Sequence, residues 1–270
     1  MDVVINAEIQ DIPRESLELV CRGNFYHHVL TCLGYPESSP PIADLLRRLY
    51  GLAGEWLMVS PVHWQASHND AMILASGREM QLSEAESQQW FAVLGDFVAP
   101  EGMTVYYCDR FTWLLQAPGK PSIQAKPVQQ LLHQSLMPQL RNLDASFFWQ
   151  RFITESQMFF SAHPLHQKNP GPAVNGLWIW GGGMLDAPQT RFIHYNSEFT
   201  CNLAKHLSTQ ATPYQSSQLF GKNDLLLLDT IDSNLLLQLQ SQLRKDTVHW
   251  YWNNLAYTTQ AKSWWSRLWS

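Results

Sequence analysis

Apolar and polar positions along this chain change period several times, and each change marks an element. Ile42, Leu45, Leu46 and Leu49 recur at three- and four-residue intervals behind Ser38-Ser39-Pro40-Pro41, which predicts a helix from Pro41 to Tyr50. Residues Glu55 to Gln65 and Ala71 to Ala75 read as strands around the polar turn Ser67-His68-Asn69-Asp70. Ser83 and Glu86 have the spacing of a capping box ahead of Trp90, Phe91, Leu94 and Phe97, so a helix begins there. Met103 to Cys108 and Phe111 to Gln116 form a second strand pair.

The break Ala117-Pro118-Gly119-Lys120-Pro121 separates this region from the rest of the chain. Beyond it, Val128 to Leu140 and Asp144 to Ala162 are expected to be helical, the latter carrying Phe147, Phe148, Phe152, Phe159 and Phe160. A strand at Arg191 to Tyr195, a helix at Glu198 to Leu207, the apolar run Leu225 to Leu228 and a helix at Ser233 to Arg244 then alternate as in an α/β layer. The expected organisation is an N-terminal segment (1–54) packed on the core, a smaller α+β lobe (55–117), and an α/β lobe (118–270).

Val174-Asn175-Gly176-Leu177-Trp178-Ile179-Trp180 describes a buried strand, with Trp178 and Trp180 on one face and Leu177 and Ile179 on the other. It runs into Gly181-Gly182-Gly183, where bare backbone can approach a ligand or another chain segment. The preceding His163, His166, Lys168 and Asn169, with Asn175, supply donors and positive charge for an anion. The same residues also suit a solvated loop. His163 and His166 lie three apart, but Pro164 and Pro170 disfavour the helix that would aim both at one metal, so no metal site is assigned. His63, His68 and Asp70 form a secondary candidate cluster that suits acid/base work or a structural role. Neither a P-loop, a dinucleotide fingerprint nor a Gly-x-Ser-x-Gly elbow is present.

The 270 residues are 45% apolar and 15% charged, enough to bury a sizeable core. A net charge of -5 without a basic run argues against nucleic-acid binding. Cys21, Cys32, Cys108 and Cys201 are widely spaced and fit reduced core thiols. An acidic N-terminal stretch and the lack of a long apolar run lead to the expectation of a cytoplasmic protein without a membrane span. Twelve tryptophans are an excess, and Trp264, Trp265 and Trp269 near the end suit either the core or a protein partner.

Leu33-Gly34-Tyr35-Pro36, Pro61-Val62-His63-Trp64 and the stretch Val174 to Gly183 together resemble the RpfE-like family of proteobacterial proteins, some of which are labelled phosphoglycerate mutases. More distantly, His163 to Gly183 is similar to the archaeal type of cofactor-independent phosphoglycerate mutase, and Ser197 to Leu207 to the helix that comes next in it. The resemblance implies an alkaline-phosphatase-like layering of sheet and helices, and a site for a small phosphorylated or carboxylated ligand involving His163, His166, Lys168, Asn169, Asn175, Gly181, Gly182 and Gly183.

Mutases of that superfamily hold two divalent metals with Asp and His groups. This chain has no N-terminal Asp-Gly motif, Asp224 to Thr230 continues without the expected histidine, and a C-terminal Asp-His pair is missing. The implied protein is noncatalytic or weakly active, needs no cofactor, and acts in a regulatory or small-anion-binding role. The alternatives are a metal-dependent phosphoglycerate mutase or phosphohydrolase with relocated ligands, and a docking module that uses the Trp-rich C-terminus.

Overall fold

The computed structural model describes residues 1–14, 16–20, 23–67, 70–168 and 172–261. In chain order the first elements are β1 (Asp2–Ile5), β2 (Ser16–Leu19), α1 (Phe25–Cys32), α2 (Ile42–Leu49), β3 (Leu57–Ala66), β4 (Ala71–Ser76) and α3 (Glu84–Val98). Next come β5 (Thr104–Asp109), β6 (Thr112–Gln116), α4 (Met137–Leu140), α5 (Phe148–Ala162), β7 (Gly176–Trp180) and β8 (Gln189–Tyr195). The last are α6 (Glu198–Leu207), β9 (Ser208–Pro213), β10 (Leu225–Leu228), α7 (Ser233–Gln242), β11 (Val248–Tyr251) and β12 (Ala256–Thr259). The protein is mixed α/β, and its chain divides into two compact units, one made of 1–35 with 186–270, the other of 36–185.

This grouping differs from boundaries at 54 and 117, because strand pairing joins residues far apart in sequence. In the unit 36–185, β7 returns to pair antiparallel with β3, matching Met58 with Trp180 and Val62 with Gly176. The other strands take the order β4-β3-β6-β5, all antiparallel, and α5 packs on β7. Every residue of β7 is buried, as are Trp113 and Trp149, so these aromatics are core. Three of the indole N–H groups are satisfied locally: Trp178 donates to Lys126 O, Trp180 to Ser60 Oγ and Trp149 to Pro121 O.

Helix α3 starts on the predicted capping box, with Ser83 Oγ accepting from Glu86 N and the Glu86 carboxylate accepting from Ser83 N. Of the helix expected over 128–140 only the last turn forms, as α4. Val128–Gln130 is one 3-10 turn, His133 takes φ 58°, and the backbone N–H groups of His133 and Leu136 donate to Ile73 and Ala71 of β4. Pro138 sits in the first turn of α4, where its missing N–H is tolerated, and the residues before it satisfy their backbone against the sheet edge.

The unit 1–35 with 186–270 is built on a seven-stranded sheet of order β2-β12-β11-β1-β10-β8-β9. Strands β11, β1, β10, β8 and β9 are parallel, and β12 and β2 add an antiparallel edge. Val3 and Ile5 of β1 stand beside Leu226 and Leu228 of β10 and, with Trp250, pack against Leu239 of α7. Burial on this scale is what holds a four-residue strand such as Asp2–Ile5 in place. Among the described residues no helix is long and apolar enough to cross a membrane.

Candidate functional site

The structure separates the residues that the sequence gathered around the glycine stretch. Asn175 precedes β7 and Gly181 comes directly after it, so the extended strand between them holds the two about 20 Å apart. Asn175 is buried and its amide is committed to β3: Oδ1 accepts from Trp64 N at 2.6 Å and Nδ2 donates to Trp64 O at 2.8 Å. Asn175 N also donates to Val62 O, so the residue before β7 carries the β3–β7 pairing on past Val62 and Gly176.

Gly181 and Gly182 pack closely against neighbouring side chains, whereas Gly183 is exposed. Gly181 has φ +67°, and a Cβ there would lie 2.5 Å from Met58 Cγ, while one on Gly182 would lie 2.7 Å from Leu57 Cδ2. The Gly181 carbonyl accepts from Ala43 N at 3.0 Å. Two residues past Gly183, Leu185 is clamped to α2: its N–H donates to Asp44 Oδ2 at 3.0 Å and its carbonyl accepts from Arg48 at 2.6 Å. Burial alone would raise the Asp44 pKa, but the Leu185 N–H and the Arg47 and Arg48 guanidiniums outweigh it and hold the carboxyl below its usual range.

His163 Nδ1 accepts from Leu165 N at 3.3 Å, and its ring lies against Trp90 and Phe159. His166 is half-buried in the 3-10 turn Pro164–Lys168. His63 Nδ1 bonds Ala173 O at 2.9 Å, and Asp70 Oδ1 accepts from Ala71 N and Ser135 Oγ, both at 2.7 Å. The Lys168 side chain, His68, Asn169 and the tail residues Trp264, Trp265 and Trp269 lie outside the described residues.

A different polar cluster emerges in the parallel sheet. Ligands of open α/β sheets bind beyond the carboxyl ends of the strands, and here four adjacent parallel strands finish in an amide or a carboxylate. Asn6 succeeds β1, Asp229 succeeds β10, Asn196 succeeds β8, and Asn253 lies two residues beyond β11. Asn6 Nδ2 donates to Asp229 Oδ1 at 3.1 Å, and Asn253 Nδ2 donates to Asn6 Oδ1 at 3.1 Å. Asn196 Oδ1 accepts from Asp229 N at 2.9 Å while its Nδ2 donates to Thr230 O. Asn253 Oδ1 accepts from Phe25 N at the start of α1. Asn6, Asp229 and Asn253 are half-buried and Asn196 is exposed, so the network faces solvent. Each amide NH2 has a second N–H beyond the one spent here.

The adjoining titratable group is His28 of α1, whose ring centroid lies 5.4 Å from that of Tyr251. Burial, reinforced by His27, pushes its pKa down to about 4, which keeps the imidazole neutral near pH 7. Sequence reasoning passed over Asn6, Asn196, Asp229 and Asn253. The usable signal was the repeated junction of an apolar run with Asn or Asp, in Val-Val-Ile-Asn, Leu-Leu-Leu-Leu-Asp and Phe-Ile-His-Tyr-Asn.

A cavity of about 670 Å³ at the amino ends of the same strands is lined by Asp2, Arg191, Asp224 and His249 among others. Its guanidinium is already spent, since Arg191 bonds the Asp2 carboxylate and the carbonyls of Cys32, Asn223 and Asp224. Among the described residues no group of three or more His, Cys, Asp or Glu side chains is arranged to hold a metal ion. Cys32, Cys108 and Cys201 form no disulfide and are half-buried, whereas the sequence suggested core positions, and Cys21 lies outside the described residues.

No family model and no curated protein matches the chain. Among solved structures it is similar to the Cofactor-Independent Phosphoglycerate Mutase from Thermoplasma acidophilum DSM 1728, at a TM-score of 0.35 and 12% identity, over 85% of this chain and 74% of that one. A likeness at this score assigns no residue a role.

Proposed function

We propose that this protein is a mutase-like α/β protein with alkaline-phosphatase-like layering that is noncatalytic towards phosphoglycerates, and that it binds a small phosphorylated or carboxylated hydroxy acid in a regulatory role. The observation that carries this reading is the Asn6–Asp229 bond at the carboxyl edge of the sheet. Two carboxylates there would repel each other and call for a cation between them. An amide donating to a lone carboxylate removes that need, because its N–H supplies the positive end that a metal would otherwise provide.

The same edge suits a ligand that carries both a hydroxyl and an anionic group. Asp229 accepts from a ligand hydroxyl, and the second N–H groups of Asn6, Asn196 and Asn253 donate to carboxylate or phosphate oxygens. Helices α6 and α7 begin just beyond β8 and β10, so their N-terminal dipoles favour negative charge on that side. Chemistry on the phosphoryl group has no obvious agent in this set, since none of the four residues is a nucleophilic hydroxyl or a base other than Asp229.

The test is thermal unfolding of the full chain against 3-phosphoglycerate, 2-phosphoglycerate and inorganic phosphate, with and without Mg²⁺ or Mn²⁺. Binding to the native state stabilises by mass action, so a phosphoglycerate shift that is independent of metal and lost in Asn196→Ala is expected. Metal-dependent interconversion of the two phosphoglycerates would overturn the noncatalytic reading. A shift untouched by Asn196→Ala and Asn253→Ala would overturn the placement of the site.

A further inference from the structure

A cavity of about 580 Å³ opens beside β9, the edge strand of the parallel sheet, and Asn6, Asn196, Asp229 and Asn253 are not among its walls. Its floor is polar. His194 is 3% exposed, its Nδ1 lies 2.8 Å from Thr212 Oγ1, and its Nε2 lies 3.0 Å from Asp224 Oδ2. An ionised carboxylate only accepts, so Nε2 carries the proton and Nδ1 turns its lone pair to the Thr212 hydroxyl. Asp224 Oδ2 is held in turn by Gly221 N at 2.8 Å. The Phe220 ring meets the imidazole edge-on at 5.2 Å, and the Phe192 ring lies parallel to it at 6.4 Å.

Hydroxyl, imidazole and carboxylate thus stand in the order that activates an alcohol as a nucleophile: a base in contact with the hydroxyl, and a third group that fixes the base. Register places Thr212 directly opposite His194 on neighbouring strands, so rigid elements carry the pair. The rim is apolar and open, with Phe192 48% exposed and Leu219 95% exposed. No lysine or arginine lines the cavity among the described residues. A pocket with a few convergent polar groups under an apolar rim suits a neutral ligand with an apolar arm.

We propose that Thr212, His194 and Asp224 form an acyl-transfer site that hydrolyses neutral carboxylic esters bearing an apolar acyl group. Thr212 Oγ1 adds to the ester carbonyl carbon as its proton passes to His194 Nδ1, and Asp224 stabilises the imidazolium that results. The carbon–oxygen bond to the alcohol then breaks, and the departing alkoxide takes the proton from Nδ1. Water adds to the acyl-threonine by the same route, releasing the carboxylic acid and restoring the hydroxyl, so that one ester and one water give one acid and one alcohol. Gln218 Nε2 lies 2.8 Å from Nδ1. The Gln218 amide N–H therefore shares the single Nδ1 lone pair with the Thr212 hydroxyl, and acylation requires it to turn aside. Thr212 and His194 are the catalytic residues here, and Asp224 is a positioning residue.

The experiment measures p-nitrophenolate release from p-nitrophenyl butyrate by the full chain, with peptide mapping of the trapped acyl-enzyme. Hydrolysis above the buffer rate is expected, with the butyryl group on Thr212. Thr212→Ala should lose at least about a hundredfold and Thr212→Ser should recover to within about tenfold, while Asp224→Asn should lower kcat by about 10³ to 10⁴. The serine variant retains the hydroxyl and keeps the test decisive if the alanine variant folds poorly. Hydrolysis no faster than buffer by folded wild-type protein, or an unchanged rate in Thr212→Ala, would overturn the proposal.

Discussion

The Asn175 side chain bonds both backbone groups of Trp64, accepting from its N–H at 2.6 Å and donating to its carbonyl at 2.8 Å. One amide thereby extends the pairing of β3 with the β7 side beyond Val62 and Gly176. Replacing it with alanine leaves a buried N–H and a buried carbonyl without partners. Asn175→Ala should cost about 2–4 kcal/mol in urea unfolding. Asn175→Asp should cost a comparable amount, because a carboxylate cannot donate to the carbonyl. Ligand affinity of either folded variant should match wild type, and a selective loss of affinity at unchanged stability would make Asn175 a binding residue after all.

At the carboxyl edge, Asn6→Asp places a second carboxylate next to Asp229, at a position where the amide nitrogen now lies 3.1 Å from it. Without metal the variant should lose roughly 1–3 kcal/mol, since a donor has become a like charge. Added Mg²⁺ or Mn²⁺ should restore part of that stability, whereas wild type should not respond. The comparison is a pair of thermal unfolding series with and without the cation, and an equal response of both proteins would refute the electrostatic argument.

Asp44 binds Arg47 at 2.7 Å, Arg48 at 3.0 Å and the Leu185 N–H at 3.0 Å, while its side chain is only 7% exposed. Asp44→Ala removes the anion from between two guanidiniums and leaves the buried Leu185 N–H without its acceptor, so a loss of about 2–4 kcal/mol is expected by denaturant titration. Its carboxyl titrates below the usual range when folded. The stability it contributes is therefore present above the unfolded-state value and declines as pH falls through the folded one, and that acid-limb loss should be missing from Asp44→Asn.

His28 gives the same sign at milder acidity. Its pKa is about 4 in the folded protein against 6.5 for an ordinary histidine, so the unfolded chain binds the extra proton first. Stability should be constant above about pH 7 and fall as pH drops from about 6.5 towards 4, by on the order of 3 kcal/mol in total. His28→Gln should flatten that interval in a series of urea titrations between about pH 7 and pH 4.5. An unchanged slope in the variant would assign the acid sensitivity to another group.

Local pattern carried a large part of the fold. The Ser83 capping box, the 198–207 helix and the Leu225–Leu228 strand are legible because each is decided within a few neighbouring residues, by a hydroxyl three residues from its donor or by an unbroken apolar run. Asp2–Ile5 escapes such reading because four residues have too little period, although the strand lies near the middle of its sheet. The segment 128–136 misleads because its apolar spacing imitates a helix while its hydrogen bonds go to β4.

The candidate residues divide in the same way. Sequence alone determined that Val174 to Trp180 is a buried strand ending in glycines, and that the chain lacks the Asp and His motifs of a two-metal mutase. It could not show that Asn175 and the glycines stand at opposite ends of that strand, with their polar groups and close contacts directed at β3 and α2. Nor could it bring Asn6 to Asp229 across 223 residues, or Thr212 and Asp224 to the two nitrogens of His194. Hydrophobic period and capping act between near neighbours and are written along the chain. Which strand ends meet is decided by the order in which strands pair, and pairing order is fixed by the burial of whole faces, a quantity that exists only once the sheet has assembled.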